Sequence, residues 1–286
     1  MSTKHESVVG GYVHIEIAGQ MHRIFYESAG QGQPLLCLHT AGSDSRQYRG
    51  LINSSSLTDQ YRVICFDLPY HGKSSPPAGW QEHEYKLTSD LYVQTILRFM
   101  EAMEIHQPIT IGCSIGGRVV LHLALKCPER FKALIGLQSG AHVSPYYDLD
   151  WLHRPDVHGG EVCAGIVSGL IGPHADSKDR WETLWHYMQG GPGVFKGDLH
   201  FYKSEGDLRG LVQAIDTRKC PLYLLTGEYD YSCTPEDSQE LARLIPGAHL
   251  TLMPGIGHFP MSEAPEAFLG HLLPVLEQIQ KEHPHT

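Results

Sequence analysis

Three side chains of this sequence are of the types that acyl transfer by a nucleophilic hydroxyl requires: a serine, a histidine and an aspartate. Ser114 lies in Gly112-Cys113-Ser114-Ile115-Gly116-Gly117, a G-x-S-x-G pattern. In a glycine-rich chain those five letters also arise by chance, and a capping serine in a turn is the plain alternative. Context separates the two. The motif follows the apolar run Ile109-Thr110-Ile111 and opens a helical pattern that continues to Lys126. So tight a strand-to-helix elbow forces unusual backbone angles on the serine, and small neighbours relieve the crowding. The hydroxyl then stands at a helix N-terminus, where partial positive charge favours developing negative charge.

A serine hydroxyl is a weak nucleophile until a base takes its proton. Of 19 histidines, His258 has the required placement, on a loop directly after the last strand-like run, His249 to Met253. The carboxylate that orients it is assigned to Asp230, just beyond the run Leu222 to Thr226, with Glu228 and Asp237 as rivals. The other place for an acid, after the preceding strand, reads Gln138-Ser139-Gly140 and carries none. Oxyanion donors are assigned to the backbone N–H groups of Ile115 and Ala41, with Thr40 and Gly42 as neighbours able to substitute for Ala41. The His39 side chain is read as a structural hydrogen-bonding group.

Such residues, far apart in sequence, need a sheet to bring them together. Tyr12–Ala18 and His22–Glu27 alternate apolar and polar around Gly19-Gln20, the pattern of an antiparallel hairpin. Leu35–Leu38, Val63–Phe66, Ile109–Ile111, Phe131–Leu137, Pro221–Thr226 and His249–Met253 are short apolar runs of the kind buried on both faces of a mostly parallel sheet. Helical patterns run from Thr88-Ser89 to about Ile105, from Ser114 to Lys126, and from Glu263 onward, with Lys281 to Thr286 frayed. From Gly140 to about Lys219 the alternation breaks. This gives a core of residues 1–139 and 220–286, with 140–219 as a helical cap.

With 286 residues, 41% of them hydrophobic, the chain can bury a full core. Its net charge of −10 argues against nucleic acid or an anionic membrane as partner. The N-terminus lacks a signal-peptide pattern and no run reaches membrane-span length. Seven scattered cysteines without a CxxC pair fit buried free thiols in a reducing cytoplasm. Gly72-Lys73-Ser74 lacks the upstream glycine of a phosphate-binding loop, because Asp67 stands there. His153, His158, His283 and His285 have no partners at metal spacing, so no metal or cofactor is expected. Candidate substrate contacts are Thr40, Arg46, Arg118, Trp151, Trp185 and Phe259. Arg46 has a competing role as the local partner of Asp44. Tyr146, Tyr147, Trp151, Trp181, Trp185, Tyr187 and Met188 read mainly as cap core.

The stretches Leu38–Gly42, Phe66–Ser74, Gly112–Gly117, Gly227–Asp230 and Gly257-His258 together resemble the α/β-hydrolase superfamily, in the branch of enol-lactone hydrolases, meta-cleavage-product hydrolases and small carboxylesterases. The resemblance implies an eight-stranded, mostly parallel sheet with helices on both faces and a cap over the serine. Two positions depart from the pattern: His39-Thr40 replaces His-Gly, and Phe259 stands where carbon–carbon bond hydrolases carry tryptophan. Serine at 114 argues against the aspartate-based dehalogenases and epoxide hydrolases. The expected activity is cleavage of a small carboxylic ester or lactone, apolar or aromatic, through an acyl-enzyme. Carbon–carbon bond hydrolysis of a ring-cleavage product, or ligand binding on a retained hydrolase fold, are the alternatives. The oligomeric state stays open, a homodimer included.

Overall fold

The computed structural model describes residues 5–143 and 159–283. Eight strands form one sheet: β1 (Val9–Ile17), β2 (Gln20–Ala29), β3 (Gln33–Leu38), β4 (Tyr61–Phe66), β5 (Ile109–Cys113), β6 (Ala133–Leu137), β7 (Leu222–Gly227) and β8 (His249–Met253). Their order is β1-β2-β4-β3-β5-β6-β7-β8. β2 pairs antiparallel with β1 and β4, and every pairing from β4 through β8 is parallel. The expected architecture therefore holds, with the hairpin longer at both ends than the alternation alone indicated.

Ten α-helices lie among the described residues: α1 (Arg49–Ile52), α2 (Ser55–Thr58), α3 (Ser89–Ala102), α4 (Ile115–Lys126), α5 (Gly159–Ser168), α6 (Ser177–Met188), α7 (Val194–Ser204), α8 (Pro235–Leu244), α9 (Pro260–Glu263) and α10 (Pro265–Glu282). The period-2 geometry of a strand sorts its side chains to two faces. On β3, Leu36 and Leu38 join Ile96 and Phe99 of α3, Val119 and Leu123 of α4 and Leu241 of α8 in one core. Leu35 and Cys37 point the other way, into a core with Leu51 of α1, Leu57 of α2 and Phe268, Leu272 and Leu276 of α10. Burial on both faces is why the central strands read as unbroken apolar runs.

Thr88 caps α3, its hydroxyl accepting the Leu91 N–H at 3.2 Å. The helix stops at Ala102 rather than Ile105 because the chain turns through Glu104 at φ 51°. The closing helix begins at Pro265 after the separate turn α9, and it continues to Glu282, past the expected fraying at Lys281. Between β6 and β7 the described chain forms α5, α6 and α7, with a small core of their own that includes Cys163, Val167, Leu184 and Tyr187 and takes in Phe259. All seven cysteines are free and buried. Among the described residues, no helix is long and apolar enough to cross a membrane, and no cluster of histidine, cysteine and carboxylates could hold a metal.

Candidate active site

Ser114 ends the β5–α4 elbow with φ 59° and ψ −113°, a conformation L-residues rarely adopt. The glycines of the motif are there because backbone crowds them. A Cβ on Gly112 would collide with Gly116, one on Gly116 with the Leu38 carbonyl, and one on Gly117 with the Leu137 carbonyl and the Ser139 side chain. The Ser114 N–H donates to the Leu137 carbonyl at 3.1 Å, tying the elbow to β6.

His258 follows β8 on a loop whose carbonyl at 258 accepts from the Cys113 thiol at 3.2 Å, which sets the loop against the elbow. Its Nδ1 lies 2.8 Å from Asp230 Oδ2, and both side chains are buried. The other oxygen of Asp230 accepts the N–H groups of Ser232 and Cys233 at 2.7 and 3.1 Å. With Nδ1–H donating to the carboxylate, Nε2 is left as the lone-pair nitrogen. The rivals have other work. Glu228 accepts the Gly255 N–H at 2.9 Å, and Asp237 closes the capping box of α8 with Thr234. Gln138, at φ 55°, joins the ends of three segments by accepting from Gly227 N–H at 3.0 Å and donating to the Gly257 carbonyl at 2.8 Å.

The Ser114 hydroxyl meets the Tyr202 hydroxyl of α7 at 3.4 Å, and no hydrogen bond joins it to His258 in this structure. Sequence reasoning missed Tyr202, because only the docking of α7 brings residue 202 to residue 114. Behind it, the Arg118 guanidinium lies 5.3 Å from the Tyr202 ring centroid and donates to the carbonyls of Ala141 and Gly206.

Hydrogen bonding sorts the oxyanion candidates. Thr40 N–H donates to Gln47 Oε1 at 3.0 Å, and Gly42 N–H to Asp198 Oδ2 at 2.7 Å. Among the described residues, the N–H groups of Ala41 and Ile115 have no acceptor. His39 is structural: Nδ1–H donates to the Thr40 carbonyl at 2.8 Å and Nε2 accepts the Leu68 N–H at 3.1 Å. Burial first, then the neighbouring His71, bring its pKa down to about 4, so the ring is neutral.

The candidate substrate contacts are dispersed. The Arg46 fork is taken by Asp44, through Nε at 2.8 Å and Nη2 at 2.6 Å, and by Gln189 through Nη1. This local pairing occupies three of the five guanidinium donors and neutralises its charge. Arg118 is buried beneath Tyr202 rather than lining open space. The Thr40 hydroxyl bonds Gln47 and Tyr187. Phe259 packs edge-on against the His258 ring, centroids 4.9 Å apart, and against Tyr187 at 5.6 Å. Trp185 is 57% exposed and Trp181 61%, so neither is core: both point to solvent from α6. Tyr187 is buried as expected. Tyr146, Tyr147, Trp151, His153, His158 and His285 lie outside the described residues.

The Phe66–Ser74 stretch serves the scaffold. Asp67 accepts the N–H groups of Ser45 and Lys73 at 2.9 and 2.8 Å, and the Ser74 hydroxyl donates to the Asp67 carbonyl at 2.7 Å. Glu263 was also missed by sequence reasoning. Its buried carboxylate accepts the N–H groups of Gly257 and Phe259, on either side of His258, and that of Gly172 from the insertion.

A family model described as the alpha/beta hydrolase fold matches residues 33–157. The chain is 26% identical over 269 residues to the uncharacterized hydrolase YugF of Bacillus subtilis, covering 86% of this chain and 90% of that protein. It is 26% identical over 216 residues to 3-oxoadipate enol-lactonase 2 of Acinetobacter baylyi, covering 73% and 76%. A solved thermophilic esterase from Thermogutta terrifontis superposes with a TM-score of 0.82 over 94% of this chain and 99% of that one, at 20% identity, a likeness of fold.

Proposed function

The chain belongs to the α/β-hydrolase superfamily, and from that premise we propose that it is a serine hydrolase cleaving a small carboxylic ester or lactone. The observation that carries the reading is the buried His258–Asp230 pair, 2.8 Å apart, beside a strained serine elbow. In this mechanism the Ser114 hydroxyl turns from Tyr202 to His258 when substrate enters; apo contacts of this kind commonly tighten only in the complex. Nε2 takes the hydroxyl proton as Oγ bonds the acyl carbon, and Asp230 stabilises the imidazolium. The oxygen that becomes negative lies between the N–H groups of Ala41 and Ile115, each worth about 3 kcal/mol in the transition state. His258 returns the proton to the departing alkoxide. Water then attacks the acyl-enzyme by the reverse path, releasing the acid and restoring the serine.

The esterases and the enol-lactonase among the similar proteins support this substrate class. Residues 140–219 act as the cap, and their helices bound the substrate's approach. Seven buried free thiols support a reducing compartment such as the cytoplasm.

The test uses short-chain p-nitrophenyl esters and γ-lactones with wild type and Ser114→Ala. Wild type turns over and is labelled by a fluorophosphonate, while the variant loses at least about 10³-fold in kcat with its melting temperature kept. Substantial turnover by Ser114→Ala, or wild type inert to both ester and fluorophosphonate, overturns the reading; inert protein would point to a binding function on this fold.

A further inference from the structure

We propose that Asp198, on helix α7 of the insertion, is a positioning residue for the oxyanion donor: its carboxylate fixes the 40–42 loop so that the Ala41 N–H faces the reacting carbon. This inference rests on the serine-hydrolase reading of the site.

The geometry is unusually complete for one carboxylate. Asp198 is fully buried; Oδ2 accepts the Gly42 N–H and a His71 ring N–H, each at 2.7 Å, and Oδ1 accepts the Tyr85 hydroxyl at 2.8 Å. A peptide unit is planar, so holding its carbonyl or its N–H fixes both. The plane joining Thr40 to Ala41 is held through the Thr40 carbonyl by His39 Nδ1–H at 2.8 Å. The next plane, joining Ala41 to Gly42, is held through the Gly42 N–H by Asp198. With both planes fixed, the Ala41 N–H has one direction, and Gly42 cannot rotate to compete with it.

The clamp is itself braced. His71 Nδ1 faces the Pro69 carbonyl at 2.8 Å while Nε2 faces Asp198. Both ring nitrogens therefore meet acceptors, an arrangement only the imidazolium satisfies. Its positive charge offsets that of the buried carboxylate, and its ring packs against His39 with centroids 4.8 Å apart. Helix α7 is docked on the core through the Leu87 N–H to the Gly197 carbonyl at 2.9 Å and the Ser89 N–H to Glu205 at 2.6 Å. Phe195 approaches Gly42 so closely that a Cβ there would collide with its ring. A helix so anchored delivers Asp198 to a fixed point.

The experiment compares wild type, Asp198→Ala and Asp198→Asn in three measurements. These are melting temperature, kcat and KM on a p-nitrophenyl ester, and inhibition by a trifluoromethyl ketone, whose adduct carries the oxyanion. Asp198→Ala removes every acceptor and is expected to lose about 100-fold in kcat, the effect of one oxyanion donor. KM should change little, and ketone affinity should fall in parallel with kcat. Asp198→Asn keeps one acceptor oxygen for three donors and falls between Asp198→Ala and wild type on both readouts. Should Asp198→Ala fail to fold, Asp198→Asn decides by the same criteria. Losses confined to KM or to melting temperature, or ketone affinity at the wild-type value in the folded variants, overturn the assignment. Wild type that neither turns over nor binds the ketone overturns the serine-hydrolase reading and this assignment with it. Wild type that does both, with variants that match it, overturns the assignment alone.

Discussion

The Ser114 hydroxyl is held at the end of a backbone turn that only a crowded, glycine-flanked elbow makes, and its contact at 3.4 Å is the Tyr202 hydroxyl. Tyr202 therefore touches the proposed nucleophile, and its ring lies 5.3 Å from a buried guanidinium. Removing the hydroxyl with Tyr202→Phe keeps the ring and deletes one hydrogen-bonding group at the reacting centre. In the proposed mechanism the hydroxyl leaves Tyr202 for His258 before it reacts, so this bond stabilises only the resting state. It is worth ~1 kcal/mol, and kcat/KM should rise roughly fivefold. Steady-state kinetics on an aryl ester check this. A fall in kcat/KM would instead mean that the phenol bonds the reacting atoms in the transition state.

At the scale of elements, the imidazole loop owes its place to α9. Glu263 receives N–H groups from both neighbours of His258 and from Gly172 at 3.1 Å, while the His258 N–H donates to the Leu170 carbonyl at 2.9 Å. One buried side chain thus ties the end of β8 to the insertion. Burial raises its pKa, against the lowering effect of the three N–H donors. Glu263→Ala would leave three buried donors unmet, at a cost of about 3 kcal/mol or more. We expect the melting temperature to fall by roughly 6–12 °C for a domain of this size. Glu263→Gln, which retains an acceptor, should fall between that variant and wild type. Calorimetry that places Glu263→Ala within a degree of wild type would rule out this role.

For the whole molecule, buried ionisable groups set how stability depends on pH. His39 and His122 both have pKa values of about 4, lowered first by burial and then by His71 and Lys126 respectively. The unfolded chain protonates them near 6.5, so between pH 6.5 and 4 the unfolded state binds more protons and stability falls as the pH is lowered. Asp67, pushed up to about 6 chiefly by burial and then by Asp44, acts in the opposite sense and offsets one of the two. For these three groups the net is about one proton, ~1.4 kcal/mol per pH unit. His22 and His186, also lowered chiefly by burial, act in the same sense as the two histidines. His71 governs the alkaline side. Burial opposes its charge, but Asp198 outweighs burial and raises the pKa, with Asp67, His39 and Tyr85 as its other ionisable neighbours. That contribution is whole below pH 6.5 and is lost as pH rises through the raised pKa. Melting temperature should climb from pH 4 to about 6.5 and decline again in alkali. A profile flat across the acid range would contradict the assignment.

The sequence by itself determined the sheet and singled out the groups proposed to react. Apolar runs buried on two faces, a glycine-bounded serine between strand and helix, and an acid and a histidine after the last two strands are local patterns. Each is readable because backbone periodicity and turn sterics act within a few residues. The tertiary structure alone decided what surrounds those groups. Asp198, Tyr202 and Glu263 reach residues 156, 88 and 91 positions away, at Gly42, Ser114 and Gly172. No local pattern encodes contacts across such distances, since they follow from how the inserted helices dock. The same docking turned Trp181 and Trp185 outward, whereas the Arg46–Asp44 pair is local and legible in the sequence. Helical periodicity sets which residues share a face; only packing decides which face meets the core.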